Sequence, residues 1–221
     1  SVDLFEEKTG KVARAAWNGG YILNPELVGK LGLSAEYIGS PLGLVISNSK
    51  VVAVPLYNKP AILFHSDGSV AIQKVRLDGG VEISVAHGAP IRFESGGQGA
   101  PGNGPLFYDL LSDRKNIPAQ GRVILRLAGR KIIERFTGET EIRVLPVGLT
   151  LSIPEQLNHS EWKVGEEVTF TLPQFSQVRN AVEAGPLLVE AGKLCVDVEN
   201  EGWKTQNSMS TQAARADFID M

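Results

Sequence analysis

Ala61-Ile62-Leu63-Phe64-His65-Ser66-Asp67-Gly68-Ser69-Val70-Ala71-Ile72-Gln73-Lys74-Val75 decides how the rest of the chain is read. Two runs rich in β-branched and aromatic residues flank Ser66-Asp67-Gly68, whose small polar side chains and glycine reverse a backbone tightly. Such a unit is an antiparallel hairpin. The same pattern recurs outward along the chain, where Asn48-Ser49, Asp78-Gly79-Gly80 and Ala128-Gly129 each separate two runs of this kind. The predicted strands cover 11–17, 44–47, 51–56, 61–65, 70–75, 81–86, 90–94, 122–128, 131–136, 141–144, 168–172, 180–183 and 194–198. The 24 glycines and 12 prolines fall between these short runs rather than between long helical patterns. Two helices are predicted, 25–31 with Asn24 as cap and Pro25 at the first helical position, and 211–219 following Ser210. The fold class is therefore α+β, strand-rich, with mixed and antiparallel sheets and few helices. Residues 1–221 read as a single domain, because the strand pattern resumes after a polar stretch at 158–163.

The 221 residues suffice to bury about 70% of the unfolded surface. Apolar residues at 43% and charged residues at 21% match ordinary globular usage. A net charge of −3 without a long basic run argues against nucleic acid as a partner. No stretch approaches the roughly 20 apolar residues of a transmembrane segment. The single cysteine, Cys195, lies in the alternation Leu194-Cys195-Val196-Asp197-Val198 and reads as a small buried strand residue. His65, His87 and His159 are far apart and lack zinc-ligand spacing, so no metal and no cofactor is expected. Both ends read as cut from a longer polypeptide.

The glycine-rich stretch 95–105 contains Gly97-Gln98-Gly99-Ala100-Pro101-Gly102, formally a dinucleotide fingerprint. Leu106-Phe107-Tyr108 follows it and reads as extended, whereas a dinucleotide site needs a helix there. The stretch is instead predicted to be a loop less ordered than the strands around it. No nucleophile elbow and no phosphate-binding Gly-Lys-Ser/Thr occurs. Four other stretches carry more. Ala15-Ala16-Trp17-Asn18-Gly19-Gly20-Tyr21 ends a small-residue strand in an amide, two glycines and an aromatic, which is either a turn or a place where a sugar ring binds. Pro41-Leu42-Gly43-Leu44-Val45-Ile46-Ser47-Asn48-Ser49-Lys50-Val51-Val52 reads as a hairpin. Leu145-Pro146-Val147-Gly148-Leu149-Thr150-Leu151-Ser152 precedes a loop-to-strand unit at 162–170. Asn180-Ala181-Val182-Glu183-Ala184-Gly185-Pro186 places a carboxylate on a strand that ends in Gly-Pro.

In this order the set resembles the phosphodiester glycosidase domain family, which includes enzymes removing N-acetylglucosamine from phosphodiesters. The matching pieces are 18–21, 41–52, 103–108, 146–152 with 164–168, and 185–193. Ile22 stands where the family usually has Phe, and Glu167 where it often has Asp. The family's later arginine-containing strand and Asp-Gly-Gly-Gly-Ser loop do not follow, so the resemblance implies a chain truncated before that segment. A second chain or a C-terminal fragment would then complete the fold. Until it does, an open strand edge or apolar groove is expected, covered by such a partner or by residues 211–221.

The resemblance implies a hydrolase cleaving a sugar-phosphate (glycosyl phosphodiester) linkage of a glycan, working extracytoplasmically, secreted or periplasmic, on envelope or extracellular material. The alternative is a non-catalytic carbohydrate-binding or envelope module of the same fold. Glu183 is the candidate acid/base, although the residues alone equally allow a solvated strand carboxylate there. Asn18, Gly19, Gly20 and Tyr21 are expected to bind sugar hydroxyls or phosphate oxygens. Asn103 would close over them, and Arg179 is a phosphate partner by charge. Asn18, Gly19, Gly20, Asn103 and Glu183 are expected to converge on one cleft.

Overall fold

The computed structural model describes residues 2–13, 19–55, 58–77, 80–86, 88–97, 102–109, 112, 114–158 and 161–201. In chain order the helices are α1 (Val2–Thr9) and α2 (Pro25–Lys30). The strands are β1 (Val45–Ser47), β2 (Lys50–Ala53), β3 (Lys59–His65), β4 (Val70–Val75), β5 (Val81–Val85), β6 (Ile91–Ser95), β7 (Leu106–Tyr108) and β8 (Asn116–Pro118). They continue as β9 (Arg122–Ala128), β10 (Lys131–Phe136), β11 (Glu141–Arg143), β12 (Leu149–Pro154), β13 (Val168–Thr171), β14 (Val178–Glu183), β15 (Val189–Glu190) and β16 (Lys193–Leu194). The fold is strand-rich α+β with few helices.

A five-stranded antiparallel sheet runs in the order β2-β1-β14-β3-β4, and a seven-stranded sheet in the order β10-β9-β12-β7-β6-β5-β13. β6 and β7 pair in parallel, which makes the second sheet mixed. That sheet curls back on itself. At its two ends Ile132 N–H donates to the Glu166 carbonyl at 2.9 Å, and Lys131 bridges to Glu167. Curling is how a long twisted sheet removes its exposed edges.

Side-chain parity explains the layers. Odd residues of β9, Val123, Leu125 and Leu127, enter the main core with Phe107, Leu149, Leu151 and Ile153. Even neighbours such as Ile124, Leu106 and Tyr108 form a second cluster with Ile117 and Ile142 of the β8–β11 hairpin. The inward residues of the five-stranded sheet, among them Leu44, Ala61, Leu63 and Ala181, join the same main core. One apolar interior therefore spans both sheets. A third cluster, Leu23, Leu27, Val28, Tyr37 and Leu42, places α2 beside the β9–β10 turn through Ala128 and Ile133.

α2 begins where the cap residue dictates. The Asn24 side chain accepts the Leu27 N–H at 2.8 Å and Pro25 follows at the first helical position. Asn24→Ala should lower stability by about 1 kcal/mol, read as a reduced urea midpoint at unchanged slope. An unmoved midpoint would show that packing of Leu27 and Val28 alone holds the helix.

Several sequence expectations need correction. Residues 11–13 of the predicted strand 11–17 form no strand, and 14–17 lie outside the described residues, as does the predicted helix 211–219. The helix α1 was not foreseen; none of its residues is buried, so no apolar stripe marks it. The strand at 194–198 ends at Leu194, which is 81% exposed, and Cys195 is only partly buried. Among the described residues β15 and β16 pair only with each other, so no core demanded a longer strand. The polar stretch near 158–163 contains Trp162, which is buried edge-on against Phe93 and belongs to the main core. Of the 95–105 loop, residues 98–101 lie outside the described residues. No described helix is long and apolar enough to cross a membrane.

Candidate functional site

Glu183 is the last residue of β14, the strand inserted between β1 and β3. Its own N–H donates to the Leu44 carbonyl at 2.8 Å, as sheet pairing requires. Its side chain then folds onto the same neighbour, with Oε2 accepting the Leu44 N–H at 2.8 Å. A backbone donor to an ionised carboxylate is a charge-assisted bond, stronger than a neutral one. The residue is 1% exposed.

This carboxylate has room because position 43 carries no side chain. A Cβ on Gly43 would lie 2.7 Å from Glu183 Cδ and 2.9 Å from Oε1, and the Gly43 φ of +127° suits glycine alone. Gly20 and Gly19 pack against the main chain of β14 and Val182 instead: a Cβ on Gly20 would lie 2.9 Å from the Glu183 main-chain carbonyl oxygen, and one on Gly19 would lie 3.1 Å from Val182 Cγ1. Tyr21 continues the contact, its hydroxyl donating to the Gly185 carbonyl at 3.1 Å and its carbonyl accepting the Leu42 N–H at 2.8 Å. Tyr21 is 39% exposed. Gly19, Gly20, Tyr21, Gly43 and Glu183 thus meet at one end of the five-stranded sheet.

Two further charges sit there. Ala61 is the register partner of Glu183, and Lys59 lies two residues before Ala61, on the same inward-facing side of β3. Lys59 is 4% exposed. Burial pushes its ammonium down to about 7, against the upward pull of Glu183 and then Glu201. Glu201 is fully buried, its Oε1 accepting the Leu187 N–H at 3.0 Å with Lys74 Nζ 3.8 Å away. Neither Lys59 nor Glu201 stood out in the sequence. For Lys59 a signal was present, since it shares the parity of Ala61 and Leu63 at the head of an apolar strand. Nothing in the sequence marks Glu201.

The other predicted residues lie elsewhere. Asn18 is outside the described residues. Asn103 is exposed in a loop that Arg122 holds, through Nη2 to the Gly104 carbonyl at 2.6 Å. Arg122 begins β9, whereas the turn beyond the far end of β9 approaches Pro41, so Asn103 stands a strand length, roughly 20 Å, from Gly43 and Glu183. Arg179 is exposed at an irregularity between Val178 and Asn180, about 13 Å along β14 from Glu183. The structure therefore brings Gly19, Gly20, Tyr21 and Glu183 together and leaves Asn103 and Arg179 apart from them. Among the described residues no group of three or more His, Cys, Asp or Glu side chains is arranged to hold a metal ion.

No family model matches the chain, and no curated protein matches it. Among solved structures it is similar to a hypothetical protein from Synechocystis, at 17% identity and a TM-score of 0.39, over 85% of this chain and 34% of that one. It is also similar to a Burkholderia pseudomallei protein described as exported, at 17% identity and a TM-score of 0.33, over 84% of this chain and 43% of that one. The chain thus spans less than half the length of either, and likenesses this low carry neither function nor location.

Proposed function

We propose that this polypeptide hydrolyses a glycosyl phosphodiester, cleaving the bond between a sugar's anomeric carbon and phosphate, with Glu183 as the acid/base and extracytoplasmic glycans as the substrate. The observation that supports this reading is the Glu183 carboxylate itself, buried, clamped by the Leu44 N–H and given room by the missing side chain of Gly43. A phosphate leaves readily, so the chemistry asks chiefly for a carboxylate near the anomeric centre, to activate water and to face the oxocarbenium-like transition state. The exposed Gly19 backbone and Tyr21, at the same end of the sheet, suit a sugar's hydroxyls and apolar face.

A second reading, a carbohydrate-binding module without catalysis, draws support from the 1% exposure of Glu183, which leaves little surface for a substrate to reach. One experiment separates the two. The polypeptide as the cell makes it is incubated with the methyl phosphodiester of N-acetylglucosamine 1-phosphate and followed by phosphorus NMR. Release of methyl phosphate is the expected result. Binding without turnover by the natural polypeptide transfers the case to the second reading, and neither binding nor turnover ends both.

A further inference from the structure

We propose that Lys59 is a positioning residue for Glu183, bridging its carboxylate to that of Glu201 so that the three buried side chains form one ionic unit. The catalytic consequence rests on the reading of Glu183 given above, but the ionic unit does not. The geometry starts from the sheet. Glu183 pairs with Ala61, and the Ala184 N–H donates to the Pro60 carbonyl at 2.9 Å, so the ends of β14 and β3 are in register at this point. Lys59 is then the diagonal neighbour of Glu183 on the inward face, a spacing of roughly 7–8 Å that a long side chain crosses.

Glu201 arrives from a different part of the chain, the turn after the β15–β16 hairpin. That turn docks at the head of β3, where the Asn58 side-chain amide donates to the Asn200 carbonyl at 3.1 Å. Two carboxylates buried to 1% and 0% exposure call for a cation beside them, since an unpaired charge is costly to bury. Lys59 is the cation placed to serve both, and Lys74 of β4 reaches Glu201 only from its own 32% exposed position at 3.8 Å. The charged groups facing Lys59 among the described residues are thus Glu183 from β14 and Glu201 from the turn, with Lys74 on the far side of Glu201. On the acid side of its midpoint Lys59 is an ammonium and favours the ionised, fixed form of Glu183. On the alkaline side it is a neutral amine and that field is gone.

The test uses the whole chain with carbon-13-labelled lysine, followed by NMR from pH 5 to 11. The Lys59 resonance is identified by its loss in Lys59→Arg. Lys59 should titrate near pH 7, well below the ordinary lysine value. Glu183→Gln and Glu201→Gln should each move the Lys59 midpoint down by about one unit or more, since each removes a stabilising anion. A Lys59 midpoint unmoved in either variant overturns the proposal. Should a variant fail to fold, the wild-type Glu183 carboxyl carbon decides: an inflection at the Lys59 midpoint supports the unit and its absence overturns it. In a polypeptide that hydrolyses the phosphodiester, kcat/KM should fall as pH rises through the Lys59 midpoint, and Lys59→Arg should abolish that limb. A titrating unit in a polypeptide without hydrolysis refutes the proposed activity and leaves the ionic unit standing.

Discussion

Glu183→Gln should lower kcat for glycosyl phosphodiester hydrolysis by roughly 10²–10⁴-fold, the usual contribution of a positioned acid/base, while the chain stays folded. The amide keeps the shape of the carboxylate, and its oxygen still accepts the Leu44 N–H that now reaches Oε2 at 2.8 Å. What it loses is the charge and the ability to exchange a proton. The measurement compares kcat and KM of the natural polypeptide and its variant, with near-identical circular dichroism as the condition for comparison. A variant within tenfold of the parent would remove Glu183 from the chemistry and return it to the role of a buried strand carboxylate. A loss carried by KM alone would make it a binding group, because removing uniform binding raises KM and leaves kcat alone.

Gly43→Ala should be the most damaging small substitution near the site. The backbone at φ +127° is closed to residues with a side chain, at a cost of about 1–3 kcal/mol. The new methyl would also meet Glu183 Cδ at 2.7 Å, and overpacking a filled interior typically costs a further 1–3 kcal/mol. For a chain of this size the sum predicts a melting temperature lower by roughly 4–24 °C. A double-mutant cycle with Glu183→Ala separates the two causes, since the shortened side chain no longer fills the space. Coupling of about 1 kcal/mol or more is expected. Additive effects would show that the contact with Glu183 is unimportant and that the backbone accounts for the whole loss.

Hairpins were legible because their turns are local. The Asp67 side chain accepts the Ser69 N–H at 2.9 Å, a closure made entirely within three residues of one another. β12 was less legible. Leu149-Thr150-Leu151-Ser152-Ile153-Pro154 alternates as a strand should, yet all six are buried, because β7 and β9 flank it and Arg122 covers its polar face through Ser152 Oγ. β8 was missed for the opposite reason, since three residues carry no period. The candidate site was half legible. Glu183 on a strand ending in Gly-Pro could be read, as could the glycines at 19 and 20. That Leu44 clamps Glu183, or that Glu201 comes to share Lys59 with it, depends on pairings between segments more than a hundred residues apart, which no local pattern encodes.

The place of β14 in its sheet has a consequence for synthesis. β1 and β3 border it on either side, and the Leu44–Glu183 contact joins residues 139 apart. At about 5–20 residues per second, a ribosome needs roughly 7–30 s to make that intervening chain. Until then the β1–β2 and β3–β4 hairpins face a missing strand with open edges, a condition that holdase chaperones act on and that invites association. Because Glu183 is the final residue of the arriving strand, the step that seals those edges is the same step that delivers the carboxylate. A nascent chain too short to include β14 therefore carries neither a finished sheet nor any trace of the site.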